Sequence, residues 1–172
     1  ISMLRLAPHL SAKSPAILKK WLDVLLSNYP QETVLFFKKE KDPFANPIVH
    51  QLYRGLTDIL TVLMEDQGRE AASAALDEVI RVLALQEMNP SQAMAFVFHL
   101  KHIIREELAP ELRDPSLASE MLELESYIDG LALLGFDSYM QRREKLCDLK
   151  VSEVKSRVSG LLRRAGIDVN NL

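Results

Sequence analysis

Apolar residues recur every three or four positions along most of this chain, in runs separated by breaks that contain proline or glycine. That spacing places side chains on one face of an α-helix, and no run shows the apolar–polar alternation typical of a strand. Glycine is scarce, and Leu, Ala, Glu, Lys and Arg dominate, a composition that favours helix. The sequence therefore predicts an all-α protein, a compact single-domain helical bundle of about seven helices.

Pairs of a capping residue and a proline indicate where helices begin. Such pairs occur at Ser14–Pro15, Asn46–Pro47 and Asn89–Pro90, and each suits the N-cap and the first position of a helix. In the last third of the chain, Gly130 and Gly135 are candidate breaks between separate helices. No composition shift or linker indicates a second domain.

The predicted core consists of the apolar residues on the inward face of each predicted helix. The segment after Asn89–Pro90 has the widest apolar face, so we expect it to be a central, largely buried helix. Phe44, which lies between two prolines, is expected to fill the core beside that connector. The predicted core residues are Trp21, Leu25, Phe37, Leu52, Leu56, Ile59, Leu76, Ile80, Phe96, Leu100 and Ile103.

Composition and charge exclude several functional classes. The net charge of -3 argues against a general nucleic-acid binder. No apolar run reaches the roughly 18 residues that a membrane-spanning helix needs. Cys147 is the single cysteine, so an internal disulfide is impossible and a reducing compartment is favoured. We therefore predict a cytoplasmic protein without nucleic-acid or membrane partners.

The sign of the charge reverses near residue 140. Residues 105–137 contain nine acidic and two basic residues, whereas residues 141–164 contain eight basic and three acidic ones. One interpretation is that these are solvated faces of neighbouring helices that pair with each other. The other is a contact surface for a partner protein, formed by exposed bases of the second stretch. The candidate partner-surface residues are Lys155, Arg157, Arg163 and Arg164.

Two histidines are the strongest candidates for chemistry. His99 and His102 are three residues apart and therefore share a helical face, a spacing that metal sites use. A zinc site needs a third ligand, and only His50 and Cys147 are comparable candidates. The structural interpretation places both histidines at the edge of the core. We predict no catalytic residue, no metal and no cofactor, and keep phosphorelay or ligand binding by this histidine pair as an alternative.

Two longer stretches carry a resemblance to a known family. They are residues 37–47 (FKKEKDPFANP) and residues 85–107 (LQEMNPSQAMAFVFHLKHIIREE), which occur together with Trp21 and with the stretch 30–33 (PQET). In this order they resemble the N-terminal sensory domain of RsbRD-type RsbT co-antagonists, which are stressosome-related bacterial proteins. The resemblance covers residues 14–140.

The resemblance implies a fold and a function. Related sensors adopt a globin-like fold without haem and pair as dimers, so the bundle is expected to be globin-like and a homodimer. We predict a non-enzymatic sensory or regulatory domain that acts through protein–protein interaction and conformational change. The alternatives are a histidine phosphorelay or kinase-associated dimerisation module, and a haem- or metal-binding globin-like protein.

The same resemblance divides the chain into three parts. Residues 1–13 are expected to be an N-terminal extension, residues 14–140 the family-like helical domain, and residues 141–172 a basic helical segment packed on that domain. In this family the domain often precedes a STAS output domain. No such domain follows Gly166 here, so we expect a stand-alone sensor or adaptor, or a part of a longer protein.

Overall fold

A computed structural model describes residues 5–39, 46–86 and 88–166, without the side chains of residues 37 and 38. These residues form six α-helices and one short 3-10 turn and contain no strand, which confirms the all-α prediction. The helices are α1 (Leu6–Leu26), α2 (Gln31–Lys39), α3 (Pro47–Met64), α4 (Arg69–Leu83), α5 (Pro90–Glu107) and α6 (Pro115–Arg164), and the turn is Glu111–Arg113.

The helices pack around a single apolar core. α3 lies against α4, α1 contacts α3 and α5, and α6 covers both α4 and α5. The centre of the core contains Trp21 and Phe96, whose ring centroids are 5.9 Å apart. The Trp21 indole N–H also donates a 2.7 Å hydrogen bond to the carbonyl oxygen of Phe96, so the buried polar atom has a partner. This contact fixes α1 against α5.

The predicted core is confirmed at every position where the side chain is described. Ten of the predicted residues are buried, and the Phe37 side chain and Phe44 lie outside the described part of the chain. The fifth helix is central, as its wide apolar face predicted, because its buried residues face both α1 and α6. The globin-like arrangement stays a prediction.

The proline signals before α3 and α5 correctly predicted where these helices begin. Asn46 and Asn89 are the N-cap residues, and Pro47 and Pro90 occupy the first helical position. The Gln92 side chain accepts a 3.1 Å hydrogen bond from the backbone N–H of Asn89, as in a capping box.

The helix start predicted at Ser14–Pro15 was wrong, because α1 begins at Leu6 and continues through Pro15. Leu6 and Leu10 are fully buried, and the Glu120 carboxylate of α6 accepts hydrogen bonds from the first free backbone N–H groups of α1. Proline leaves the carbonyl oxygen four residues earlier without its helical donor. The Ser14 hydroxyl donates to that carbonyl, on Ser11, at 2.9 Å and so replaces the missing bond.

The predicted breaks at Gly130 and Gly135 were also wrong, because α6 is continuous from Pro115 to Arg164. Gly135 instead permits close packing, since a Cβ atom there would lie 2.5 Å from Met94 Cε and 3.0 Å from Leu76 Cδ2. The glycine is therefore a contact position of α6 on α4 and α5. Within the described ranges, no helix is both long and apolar enough to cross a membrane.

Candidate interaction surface

His99 and His102 are both exposed on α5, farther from the core than their predicted place at its edge. Their neighbours on the helix connect α5 to α6: the Lys101 ammonium lies 2.5 Å from the Asp129 carboxylate, and Arg105 pairs with Glu125. Across the residues that the structure describes, no three His, Cys, Asp or Glu side chains are grouped so that they could hold a metal ion. The structure does not bring His50 or Cys147 into such a group with the histidine pair.

The C-terminal half of α6, residues 141–164, is named the arm here. The buried residues of α6 end at Tyr139, and beyond residue 146 nearly all arm side chains are exposed. The sequence predicted a segment packed on the domain, whereas the structure shows close packing only where the arm begins. The four candidate partner residues, Lys155, Arg157, Arg163 and Arg164, are all exposed on this arm.

The arm is anchored to the connector between α4 and α5. The Tyr139 hydroxyl donates a 3.0 Å hydrogen bond to the carbonyl oxygen of Met88. The Arg143 guanidinium donates to the carbonyl oxygens of Ala84 at 3.2 Å and of Gln86 at 3.5 Å. The Arg143 bonds reach carbonyl groups just after the last residue of α4, where the helical hydrogen-bond pattern ends. A displacement of the connector would therefore move the first turn of the arm, because these hydrogen bonds join the two segments.

We call the α6 segment that forms this anchor, Ser138–Arg143, the root. Asp77 of α4 pairs with this segment. Its carboxylate accepts hydrogen bonds from the Arg142 guanidinium and from the Ser138 hydroxyl. Partial burial raises the pKa of Asp77, but the hydrogen bonds from Arg142 and Ser138 stabilise the charged form and lower it by more. The net pKa is below the ordinary value, so the ion pair stabilises the folded chain at neutral pH.

We expect Asp77→Asn to reduce the free energy of unfolding by less than about 1 kcal/mol at neutral pH, because the pair is partly exposed. A folded-state pKa below the unfolded value adds stability above the unfolded pKa, and that stability is lost as the pH falls through the folded pKa. The difference from the parent chain should therefore shrink in acid. Urea unfolding between about pH 6 and pH 3 measures it.

Glu78→Gln is the matched control, since Glu78 is the next residue of α4 and its ion pair within the described residues is the local one with Arg81. It should leave the pH dependence of stability close to that of the parent chain. An Asp77→Asn deficit that stays constant down to pH 3 would contradict the role assigned to this ion pair.

A groove of about 250 Å³ lies beside the root, between the end of α4 and the arm. Leu85, Leu146 and Leu149 supply apolar surface, and Leu85 is 66% exposed. Arg81 and Lys145 supply positive charge at the same place. An apolar surface with a cationic rim suits an acidic amphipathic segment of another protein. The groove and the basic arm are continuous along α6, so they form one candidate interaction surface.

Sequence reasoning found the basic residues of this surface but missed the root and the groove. The charge reversal near residue 140 is visible in the sequence, because it depends on neighbouring residues alone. Asp77 and Arg142 are 65 positions apart, and nothing in the local pattern of either residue indicates their pairing. Leu85 carried no signal beyond its apolar character.

Comparison with known proteins supports the resemblance found in the sequence. The family model of the RsbT co-antagonist protein rsbRD N-terminal domain matches residues 15–150, which extend from the middle of α1 into the arm. No curated protein and no solved structure matches the chain. The family match covers well over half of the chain and includes both motifs on which the resemblance was based. The chain therefore belongs to the RsbT co-antagonist RsbRD N-terminal domain family, a family of stressosome-type signalling domains.

Proposed function

We propose that this chain is a non-enzymatic regulatory domain that passes a signal to a partner protein through the arm and the adjoining groove. The observation that carries the proposal is the exposed basic arm fixed by its root to the α4–α5 connector. Family membership supports the signalling class.

The proposed mechanism is a shift between two positions of the connector. A ligand or partner that contacts the bundle changes an equilibrium only if it binds the two arrangements with different affinity. The α4–α5 connector is a short segment between two well-packed helices, and the root joins it to the arm at Tyr139 and Arg143. A change in the packing of α4 would then alter the direction of the arm without unfolding the core.

The proposed partner presents an acidic surface with some apolar side chains. Residues 141–164 have a net charge of +5, and the groove beside them adds exposed leucine surface. Charge complementarity of this kind raises the association rate and makes it depend on salt. The family description indicates an RsbT-type protein as the first partner to test.

The test measures binding of the purified chain to an RsbT-type protein by isothermal titration calorimetry at two salt concentrations. The variant reverses the charges of Lys155, Arg157, Arg163 and Arg164 to glutamate. We expect a loss of affinity of at least about tenfold, because several exposed pairs of up to about 1 kcal/mol each are lost. The parent chain should also bind less tightly as salt rises.

The control reverses four exposed bases outside the arm, so that the net charge changes equally. These residues are Arg5, Lys13, Lys19 and Arg113. Binding by the control should stay within about threefold of the parent chain, since its charges lie away from the proposed surface. Equal losses in both variants would show a general charge effect and contradict the arm as the contact.

A phosphorelay is the second candidate, because His99 and His102 are exposed, as a phosphate-accepting histidine must be. It predicts acid-labile phosphate on one of these side chains after incubation with a phosphodonor kinase. His99→Ala combined with His102→Ala should then abolish labelling. If the double variant still binds the RsbT-type protein with the affinity of the parent chain, the function based on partner contact is favoured.

A further inference from the structure

A second pocket lies between α3 and α4 and shares Arg81 with the groove beside the arm. Its volume is about 330 Å³, at the lower end of the range for small-molecule sites. Gly55 of α3 and Val82 of α4 line this pocket and are buried, whereas its polar residues are exposed. The pocket therefore has a base of packed helices and a polar side that is open to solvent.

The packing of α3 on α4 fixes the register of this pocket. The two helices are joined by the short connector 65–68 and lie along each other, so they are antiparallel. Gly55 meets Val79, because a Cβ atom on Gly55 would lie 2.5 Å from Val79 Cγ2. A larger residue at this position would push the helices apart. The glycine therefore holds the side chains beside it at a defined separation across the two helices.

In that register the four charges of the pocket are sorted by sign. Arg54 is four residues farther from the α3–α4 connector than Asp58, and Arg81 is three residues farther than Glu78. At 1.5 Å per residue, each arginine lies about 5 Å farther along its helix than the acid of the same helix. Because the helices are antiparallel, both arginines lie toward one end of the pocket and both carboxylates toward the other.

The charges on α3 are the ones most available to a ligand. Glu78 and Arg81 pair with each other, with 2.6 Å between nitrogen and oxygen. Within the described residues, neither Arg54 nor Asp58 has an ion pair. An arginine of this kind binds a carboxylate through two parallel hydrogen bonds, and an aspartate accepts hydrogen bonds from an ammonium group. The balanced charge of the pocket disfavours a polyanion, so a small ligand with one group of each sign fits it best.

We propose that the α3–α4 pocket binds a free α-amino acid, with its carboxylate between the two arginines and its ammonium group facing Asp58 and Glu78. The two charged groups of such a ligand are separated by one carbon atom, which suits the short distance between the two ends of the pocket. The Gln51 amide and Val82 lie beyond the arginines and supply the surface for the side chain of the ligand.

Arg81 connects this ligand site to the partner surface, because it lines both the pocket and the groove that contains Leu85 and Lys145. A carboxylate that accepts hydrogen bonds from Arg81 on the α3 side withdraws positive charge from the groove. Binding of the amino acid therefore weakens binding of an acidic segment there, and the partner weakens binding of the amino acid by the same factor. This coupling rests on the proposed function, whereas the ligand site itself does not.

The first experiment titrates the full chain with each of the standard free L-amino acids by isothermal titration calorimetry. We expect at least one of them to bind with a Kd below about 1 mM, and Arg54→Gln to weaken it at least about tenfold, since a charge-assisted contact is lost. The matched control is Arg69→Gln, because Arg69 is an exposed arginine of α4 outside the pocket. It should stay within about twofold of the parent chain. A parent chain that binds no amino acid at about 10 mM would overturn the proposal.

The second experiment tests whether the site needs both charges of the ligand. The probes are the carboxylic acid and the amine that each keep the side chain and one charged group of the amino acid that binds. Each probe should bind at least about tenfold more weakly than the amino acid. Asp58→Asn should weaken binding of the amino acid but not of the carboxylic acid. A carboxylic acid that binds as tightly as the amino acid would show a simple anion site and contradict the proposal.

The third experiment measures the affinity for the RsbT-type protein with and without a saturating concentration of that amino acid. We expect the amino acid to weaken the parent chain at least about threefold and to have no effect on the affinity of Arg54→Gln, which no longer holds it. An unchanged affinity in the parent chain would refute the coupling through Arg81. A parent chain that does not bind the partner under either condition would instead contradict the proposed function, while the first titration decides the amino-acid site independently.

Discussion

Replacing Phe96 with alanine is expected to lower the free energy of unfolding by about 3–5 kcal/mol. Phe96 is 1% exposed and lies against Trp21, with ring centroids 5.9 Å apart. Removal of the ring leaves a cavity between α1 and α5 at the centre of the bundle, and close-packed neighbours relax only partly into such a space. Urea denaturation followed by circular dichroism measures the change through the midpoint and slope of the transition.

Phe98→Ala is the matched control for this experiment. Phe98 lies two positions further along α5 but is 44% exposed, with the Lys101 ammonium 5.6 Å from its ring centroid. Its removal should cost less than about 1 kcal/mol, since little buried area and one exposed cation–π contact are lost. A cost below about 1 kcal/mol for Phe96→Ala itself would mean that the assigned helical phase of α5 is incorrect.

The helical class and most of the core could be predicted because both depend on short-range periodicity. Leu52, Leu56 and Ile59 recur at helical spacing, and this spacing alone places them on one face. The starts of α3 and α5 were predictable for a similar reason, since an Asn–Pro pair specifies a cap and a first turn within two residues.

The errors occurred where distant contacts outweighed local preference. Pro15 favours the first turn of a helix, but burial of Leu6 and Leu10, at roughly 1.5–3 kcal/mol for a full leucine side chain, exceeds that preference. Gly135 in a helix costs about 1 kcal/mol relative to alanine, which is a reason to predict a break. Its close approach to Met94 offsets this cost. Neither contact is visible from the neighbouring sequence.

The candidate interaction surface was predictable only in its charges. The bases of the arm follow from composition, but whether a basic stretch covers the domain or extends from it depends on where the buried face of α6 ends. That end, at Tyr139, depends on contacts with α4 and with the connector before α5. The histidine pair was the stronger local pattern, yet the structure leaves it on the solvent-exposed side of α5.

The part of the arm that follows the root, residues 144–164, is expected to be dispensable for folding, whereas the root is required. A chain that ends at Arg143 keeps every buried residue of α6 and the hydrogen bonds of Tyr139 and Arg143. It should unfold within a few degrees of the full chain and lose binding of the partner. Differential scanning calorimetry and isothermal titration calorimetry measure the two effects on the same samples.

Two further truncations bracket this result. A chain that ends at Arg164 retains the described arm and should behave as the full chain in both measurements. A chain that ends at Asp137 loses Tyr139, which is fully buried, together with its bond to Met88. It should be destabilised by roughly 3–5 kcal/mol, as for removal of a large buried aromatic side chain.

The chain that ends at Arg143 separates a structural role of the arm from a signalling role. If the chain that ends at Arg143 is unfolded at room temperature, the arm contributes to the core and cannot be an independent output. If it is folded but still binds the partner, the arm beyond residue 143 is not the contact. Retained folding with loss of the partner would place the contact on the side chains that follow the root, where the exposed basic residues of the arm occur.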